Sequence, residues 1–263
     1  MPWYKDLFRG RRVVDPPVTE QLWQQIVARS PAVLHLDRDA LARLKLAAER
    51  FLQTKSFEAA RGMVLDDGIR LQIALHACLL TLDLPHLDYR ALHSIIVYPD
   101  AFLSPHRHID QAGVVHAGGR TLAGEAWLNG PVVLAWSDVL QPRPGGNVIL
   151  HEFAHKLDGV NGVVNGFPPM PPNLSSRQWS LDLQSAFDTL NWQLDRGLPA
   201  AIDAYAATSP AEFFAVCSEY FFEAPGQLHA VFPEVYEQLE QFFGQRTLRH
   251  HSAGSAPAWR LHS

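Results

Sequence analysis

The chain has 263 residues, 47% of them hydrophobic, and its 22 Lys and Arg against 27 Asp and Glu leave a formal charge of -5. That balance excludes a basic nucleic-acid-binding stripe, and with no run of about eighteen uncharged apolar residues there is no candidate membrane-spanning helix. The apolar content suffices for one large core, expected over residues 18–245, with an arm over 1–17 and a poorly ordered tail over 246–263. Met1-Pro2-Trp3-Tyr4-Lys5-Asp6 lacks the basic-then-apolar order of a secretory leader. The two cysteines, Cys78 and Cys217, each sit in an apolar helical context, so buried free thiols in a reducing, cytoplasmic setting are expected.

In the arm, Arg9, Arg11 and Arg12 form a solvated basic lead-in that Pro16-Pro17 ends. Leu22, Trp23, Ile26 and Val27 recur at helical spacing over 19–29. Leu41, Leu44, Ala48, Phe51 and Leu52 do the same over 39–53, with Asp37 or Asp39 as cap. A third apolar helix is expected over 67–82; it carries Cys78 and also His76, read as a core histidine. The pattern then changes. Ser94-Ile95-Ile96-Val97-Tyr98, closed by Pro99, is short and β-branched and reads as a strand. Residues 114–116, 121–127 and 131–136 are further strand candidates, with Gly118-Gly119 and Asn129-Gly130 where turns are needed. An edge strand within 121–136 is expected to hold an extended peptide by strand addition. His106-Arg107-His108 follows Pro105; two histidines alone do not make a metal site, so this stretch is read as a polar loop. Residues 161–172, rich in Gly, Pro and Asn, are expected to form a loop walling a cleft, and helical spacing resumes over 179–196. The pattern as a whole is that of an α+β protein, a small mixed sheet surrounded by helices.

The stretch with the most chemistry is His151-Glu152-Phe153-Ala154-His155, an H-E-x-x-H motif behind the apolar run Val148-Ile149-Leu150. On a helix, His151 and His155 share a face one turn apart, and two imidazoles converge on one metal ion. Glu152, beside the first ligand, is placed to act as general base on a water. Zinc suits two neutral imidazoles plus a carboxylate, with a fourth position open, and one zinc per chain is expected. Asp158, three residues past His155, either accepts the second ring N–H of a ligand histidine or merely ends the helix before Gly159.

The third ligand decides the class. The H-E-x-x-H-x-x-G-x-x-H pattern needs Gly and His where this chain has Asp158 and Asn161, so that pattern is excluded. A later helix opens with Ser209-Pro210-Ala211-Glu212, a capping box with Pro at the first position. On it Glu212, Val216, Glu219 and Glu223 share one face, while Phe214, Cys217 and Phe221 lie opposite. Glu212 is either the ligand or a cap that bonds back to Ser209. Glu219 is the rival ligand, an outer partner of a ligand histidine, or a surface charge. Spacing favours Glu212 without deciding.

Three stretches, His151 to Asp158, Tyr205-Ala206-Ala207-Thr208-Ser209-Pro210-Ala211-Glu212, and Ser218-Glu219-Tyr220-Phe221-Phe222, resemble the Mlc titration factor A family. The likeness runs from about residue 20 to 243 and includes Gly130-Pro131-Val132-Val133-Leu134-Ala135-Trp136. The catalytic region is also similar to anthrax lethal factor in its H-E-F-x-H-x-x-D segment and in a Tyr seven residues before the third-ligand Glu. The resemblance implies a zinc metallopeptidase with a gluzincin-like core: His151, His155 and Glu212 as ligands, Glu152 as general base, and Tyr205 donating to the oxyanion. It further implies aminopeptidase activity on small peptides, and binding and sequestration of an Mlc-like transcriptional repressor of glucose-uptake genes. The alternative is a non-catalytic regulatory protein that titrates a transcription factor, with peptidase activity incidental. The chain departs from the better-known members in its arm, in the 104–120 loop and after 246. A repressor-binding surface is expected outside the zinc cleft, on the C-terminal helices. There Phe221, Phe222, Phe232, Phe242 and Phe243 either form a docking patch or fill the core.

Overall fold

A computed structural model describes residues 18–100, 108–109, 115–116, 130–141, 143 and 145–248. Helix α1, Glu20–Ala28, starts where the Thr19 hydroxyl accepts the Leu22 N–H. Helix α2, Arg38–Thr54, is capped by Asp37, which settles the choice between the two aspartates. It turns Leu44, Ala48 and Phe51 into the core. Strand β1, Ser56–Ala59, follows at once, and helix α3, Asp67–Thr81, is capped by Asp66.

Strand β2, Ser94–Tyr98, lies where its β-branched run predicts. Strands β3, His108–Ile109, and β4, Val115–His116, pair with each other antiparallel. Strand β5, Val132–Ala135, leads straight into the short helix α4, Trp136–Leu140. The main sheet has the order β1-β2-β5 and is parallel throughout. Ile95 and Val97 of β2, with Val132 and Leu134 of β5, are buried on one face, and Ile95 aligns with Val132 and Val97 with Leu134. Expectations for the arm over 1–17, for strands at 114 and 121–127, for Gly118-Gly119, and for the His106-Arg107 loop fall outside the described residues.

The second half is helical: α5, Val148–Asp158; α6, Ser176–Asp195; α7, Pro210–Glu223; α8, Pro225–Val231; and α9, Pro233–Phe243. Eleven residues of α7 are buried, as expected of a helix apolar nearly all round. It packs side by side with α5, and this pair positions the site. The five C-terminal phenylalanines fill the core: Phe221, Phe222, Phe232, Phe242 and Phe243 are at most 5% exposed. Phe243 stacks on Phe221 at 5.5 Å and meets Phe222 edge-on at 5.0 Å, while Phe242 lies 5.3 Å from Trp179. There is no docking patch at this place. The start of the expected tail is also packed, since Thr247 is buried and the Tyr236 hydroxyl accepts the Leu248 N–H at 3.0 Å. No helix among the described residues is long and apolar enough to cross a membrane.

Cys78 and Cys217 are buried free thiols, and burial pushes Cys78 up to about 12. His76 is a core histidine whose Nδ1 bonds the Gln72 carbonyl at 2.8 Å. Burial lowers its pKa to about 4, a loss only partly offset by that bond. Below pH 6.5 the unfolded chain takes up a proton that the folded chain refuses until about pH 4. His76 therefore draws stability away as pH falls through that window. Relative to His76→Leu, the wild-type chain is expected to lose about 3 kcal/mol of unfolding free energy between pH 7 and pH 4. Denaturant titrations at several pH values check this; parallel curves for the two proteins would contradict it.

Candidate metal centre

The site is assembled from two successive turns of α5 and the first turn of α7. The Asn147 side chain accepts the Leu150 N–H and starts α5, so that His151 and His155 follow on one face. Ser209 Oγ accepts the Glu212 N–H at 3.2 Å and starts α7, with Pro210 at its first position. The Glu212 carboxylate does not fold back as a cap; it turns to the histidines. Its Oε2 lies 3.0 Å from His151 Nε2 and 3.1 Å from His155 Nε2, and the two Nε2 atoms are 3.2 Å apart. Among the described residues these three side chains form a group able to hold a metal ion.

The donor set fits such an ion. Tetrahedral bonds of about 2.0–2.2 Å separate ligand atoms by roughly 3.3–3.6 Å, close to the triangle observed. The electrostatics point the same way. Burial opposes charge on His151, yet hydrogen bonds with Glu212 and Glu219 outweigh it and hold the pKa well above its ordinary value. Burial likewise opposes charge on Glu212, and the two histidines reverse it, holding the carboxyl far below the usual carboxylate range. The pocket between these groups favours positive charge, which a proton or a metal can supply.

Glu219 stands outside this triangle. Its Oε1 lies 2.7 Å from His151 Nδ1, and its Oε2 accepts the Asn147 N–H. An Nδ1–H donated to that carboxylate leaves the Nε2 lone pair facing Glu212. Tyr205 sits in a short 3₁₀ turn, Ala204–Ala207, where the Asp203 carboxylate accepts its N–H. Its ring centroid is 5.9 Å from that of His151. Glu152 is half-buried one position after His151. Lys156, one turn beyond it, donates to the Gly130 carbonyl at 2.9 Å and so ties α5 to the entry of β5. Burial lowers Lys156 to about 8, against the pull of Glu152. Among the described residues β5 pairs only with β2, which leaves it at the sheet edge beside α5.

Asp158 is the last residue of α5 before Gly159, the second of its two expected readings. It partners neither His151 nor His155: its two oxygens accept the Gly166 and Phe167 N–H groups at 2.7 and 2.8 Å. It thus closes the 159–167 loop, while His155 Nδ1 is buried with no hydrogen-bond partner. The loop return brings two backbone donors to the carboxylate, and those satisfy it first. Asp158 is fully buried, and burial raises it to about 6 despite these bonds. Asp158→Asn is expected to destabilise the fold by about 1–3 kcal/mol, since an amide NH₂ would face a backbone N–H that then lacks an acceptor. Thermal unfolding checks this, and an unchanged midpoint would contradict it. Sequence spacing alone also missed Asn147 and Lys156 as residues that tie the site together; the Asn before an apolar run was the available signal for the first.

The sequence profile of the glucose-regulated metallo-peptidase M90 family matches residues 5–244. The Mlc titration factor A of Salmonella agona (strain SL483) is 38% identical over 227 residues, covering 85% of each chain. That of Escherichia fergusonii is 36% identical over 251 residues, covering 94% of this chain and 92% of its own. An uncharacterized protein of Synechocystis sp. is 37% identical over 227 residues, covering 84% of this chain and 82% of its own. With nearly the whole sequence matched and three side chains able to hold a metal ion brought to one point, the chain belongs to the glucose-regulated metallo-peptidase M90 family.

Proposed function

We propose that the protein is a zinc-dependent peptidase acting on small peptides with an aminopeptidase preference, and that it also binds an Mlc-like repressor. The observation that carries the first part is the convergence of His151 Nε2, His155 Nε2 and Glu212 Oε2. His151, His155 and Glu212 would hold the ion, and Glu219 would fix the tautomer and direction of His151. Zinc, when bound, supplies Lewis acidity that polarises a scissile carbonyl and acidifies a water. Glu152 takes a proton from the attacking water and delivers it to the leaving amine. Tyr205 donates its phenol proton in a hydrogen bond to the oxyanion. The β5 edge, anchored by Lys156, aligns an extended substrate beside α5. The amino-end preference rests on the family resemblance.

Elemental analysis of protein purified without chelator is expected to find one zinc per chain, and His151→Ala or His155→Ala to deplete it. Cleavage of a peptide library should stop on chelation and return with zinc; a chain with neither zinc nor cleavage would overturn the proposal. Tyr205→Phe is expected to lower kcat on the order of 10²–10³-fold with little change in zinc content or KM, because its bond forms only with the oxyanion. Unchanged turnover would leave Tyr205 as a packing residue.

The repressor reading has its own support in the relatives named Mlc titration factor A. The surface lies outside the zinc cleft and does not include the C-terminal phenylalanines, which are buried. Titration calorimetry with an Mlc-like repressor tests it.

A further inference from the structure

Asn147 uses three of its polar groups at once. Its Oδ1 accepts the Leu150 N–H at 3.1 Å. Its backbone N–H donates to Glu219 Oε2, and its Nδ2 donates to Glu223 Oε1 at 2.6 Å. The first bond starts α5. The other two grip carboxylates one turn apart on α7, and the first of these carboxylates holds His151 Nδ1 through its other oxygen. The approach is close because of Gly145, at φ +71°, where an added Cβ would lie 2.4 Å from the Tyr220 ring of α7. Any larger residue would push the turn off that helix.

Helix α5 carries both histidines and α7 carries Glu212, so the offset between these two helices decides whether the three donor atoms meet. We infer that Asn147 is a positioning residue of the metal centre: it locks the start of α5 onto Glu219 and Glu223 and thereby aims His151 at Glu212. This rests on the metal-site reading above. A cap alone would not need the Glu223 bond, since Asp and Ser cap as well as Asn. Asn147→Asp keeps the cap oxygen but sets a second carboxylate against Glu223. Adding Glu223→Gln restores the bond with donor and acceptor exchanged.

The test is zinc affinity, measured by competition with a chromophoric chelator, together with the visible spectrum of the cobalt-loaded protein, which reports ligand geometry. Asn147→Asp is expected to weaken zinc binding about 10–100-fold, as losses of outer partners do, and to alter the cobalt spectrum. The double substitution Asn147→Asp with Glu223→Gln should recover most of both. Wild-type affinity in Asn147→Asp, or a loss that Glu223→Gln does not recover in a chain of native helicity, would overturn the inference. If Asn147→Asp fails to fold, Asn147→Ser decides: it caps α5 but cannot reach Glu223, and wild-type affinity there would equally overturn it. A wild-type chain that binds no zinc would instead sink the metal reading itself.

Discussion

Glu152→Gln is expected to lower peptide hydrolysis on the order of 10²–10⁴-fold, the usual worth of a general base, while zinc content and fold stay as in the wild type. The amide keeps the size and half-buried position of the carboxylate on α5 but cannot accept a proton from water. Lys156 should feel the change, since Glu152 is the charge that holds its pKa up against burial. Loss of that charge lowers the Lys156 pKa further, so pH profiles of the variant should be compared below pH 7, where the Lys156 tether to Gly130 stays charged. The same variant separates the two proposed activities. Retained affinity for an Mlc-like repressor would place that partner outside the cleft. Abolished affinity with an intact fold would make the partner a substrate. Residual turnover near the wild-type level would remove Glu152 from the chemistry.

Glu212→Ala and Glu219→Gln are expected to differ sharply in zinc binding. Glu212 supplies one corner of the donor triangle, 3.0 and 3.1 Å from the two Nε2 atoms. Its loss should leave only two imidazoles and reduce affinity beyond the roughly 10–100-fold typical of an outer partner. Glu219→Gln keeps an acceptor for one donor but gives up the charge beside His151 Nδ1, and its loss should stay within that outer-partner range. Chelator competition measures both. Equal losses, or the larger loss at Glu219, would reverse the two roles.

Much of this was legible in the sequence because it is local. The H-E-x-x-H spacing, the Ser209-Pro210 start and the β-branched run of β2 each follow from side-chain periodicity or capping, and the structure places them accordingly. Strand β1 was not legible: Ser56-Phe57-Glu58-Ala59 has no β-branched residue and is extended because β2 offers it a parallel ladder. Helix α4 spans only Trp136–Leu140, too short to show a period. Asp158 lies within reach of His155 by spacing, but the donors that claim it arrive from a loop eight and nine residues on. Which of Glu212 and Glu219 faces the two Nε2 atoms depends on how α7 sits against α5. That offset is a tertiary fact: Gly145 and Asn147, before α5, meet Tyr220 and Glu223 of α7, and the side-chain period along α7 alone does not show it.

The most direct measurement is a crystal structure of the zinc-loaded protein with anomalous data at the zinc edge. The expected result is one zinc with His151 Nε2, His155 Nε2 and a Glu212 oxygen at about 2.0–2.2 Å, and Glu219 on His151 Nδ1. A Glu219 oxygen bound to the zinc in place of Glu212, or zinc bound elsewhere on the chain, would contradict it.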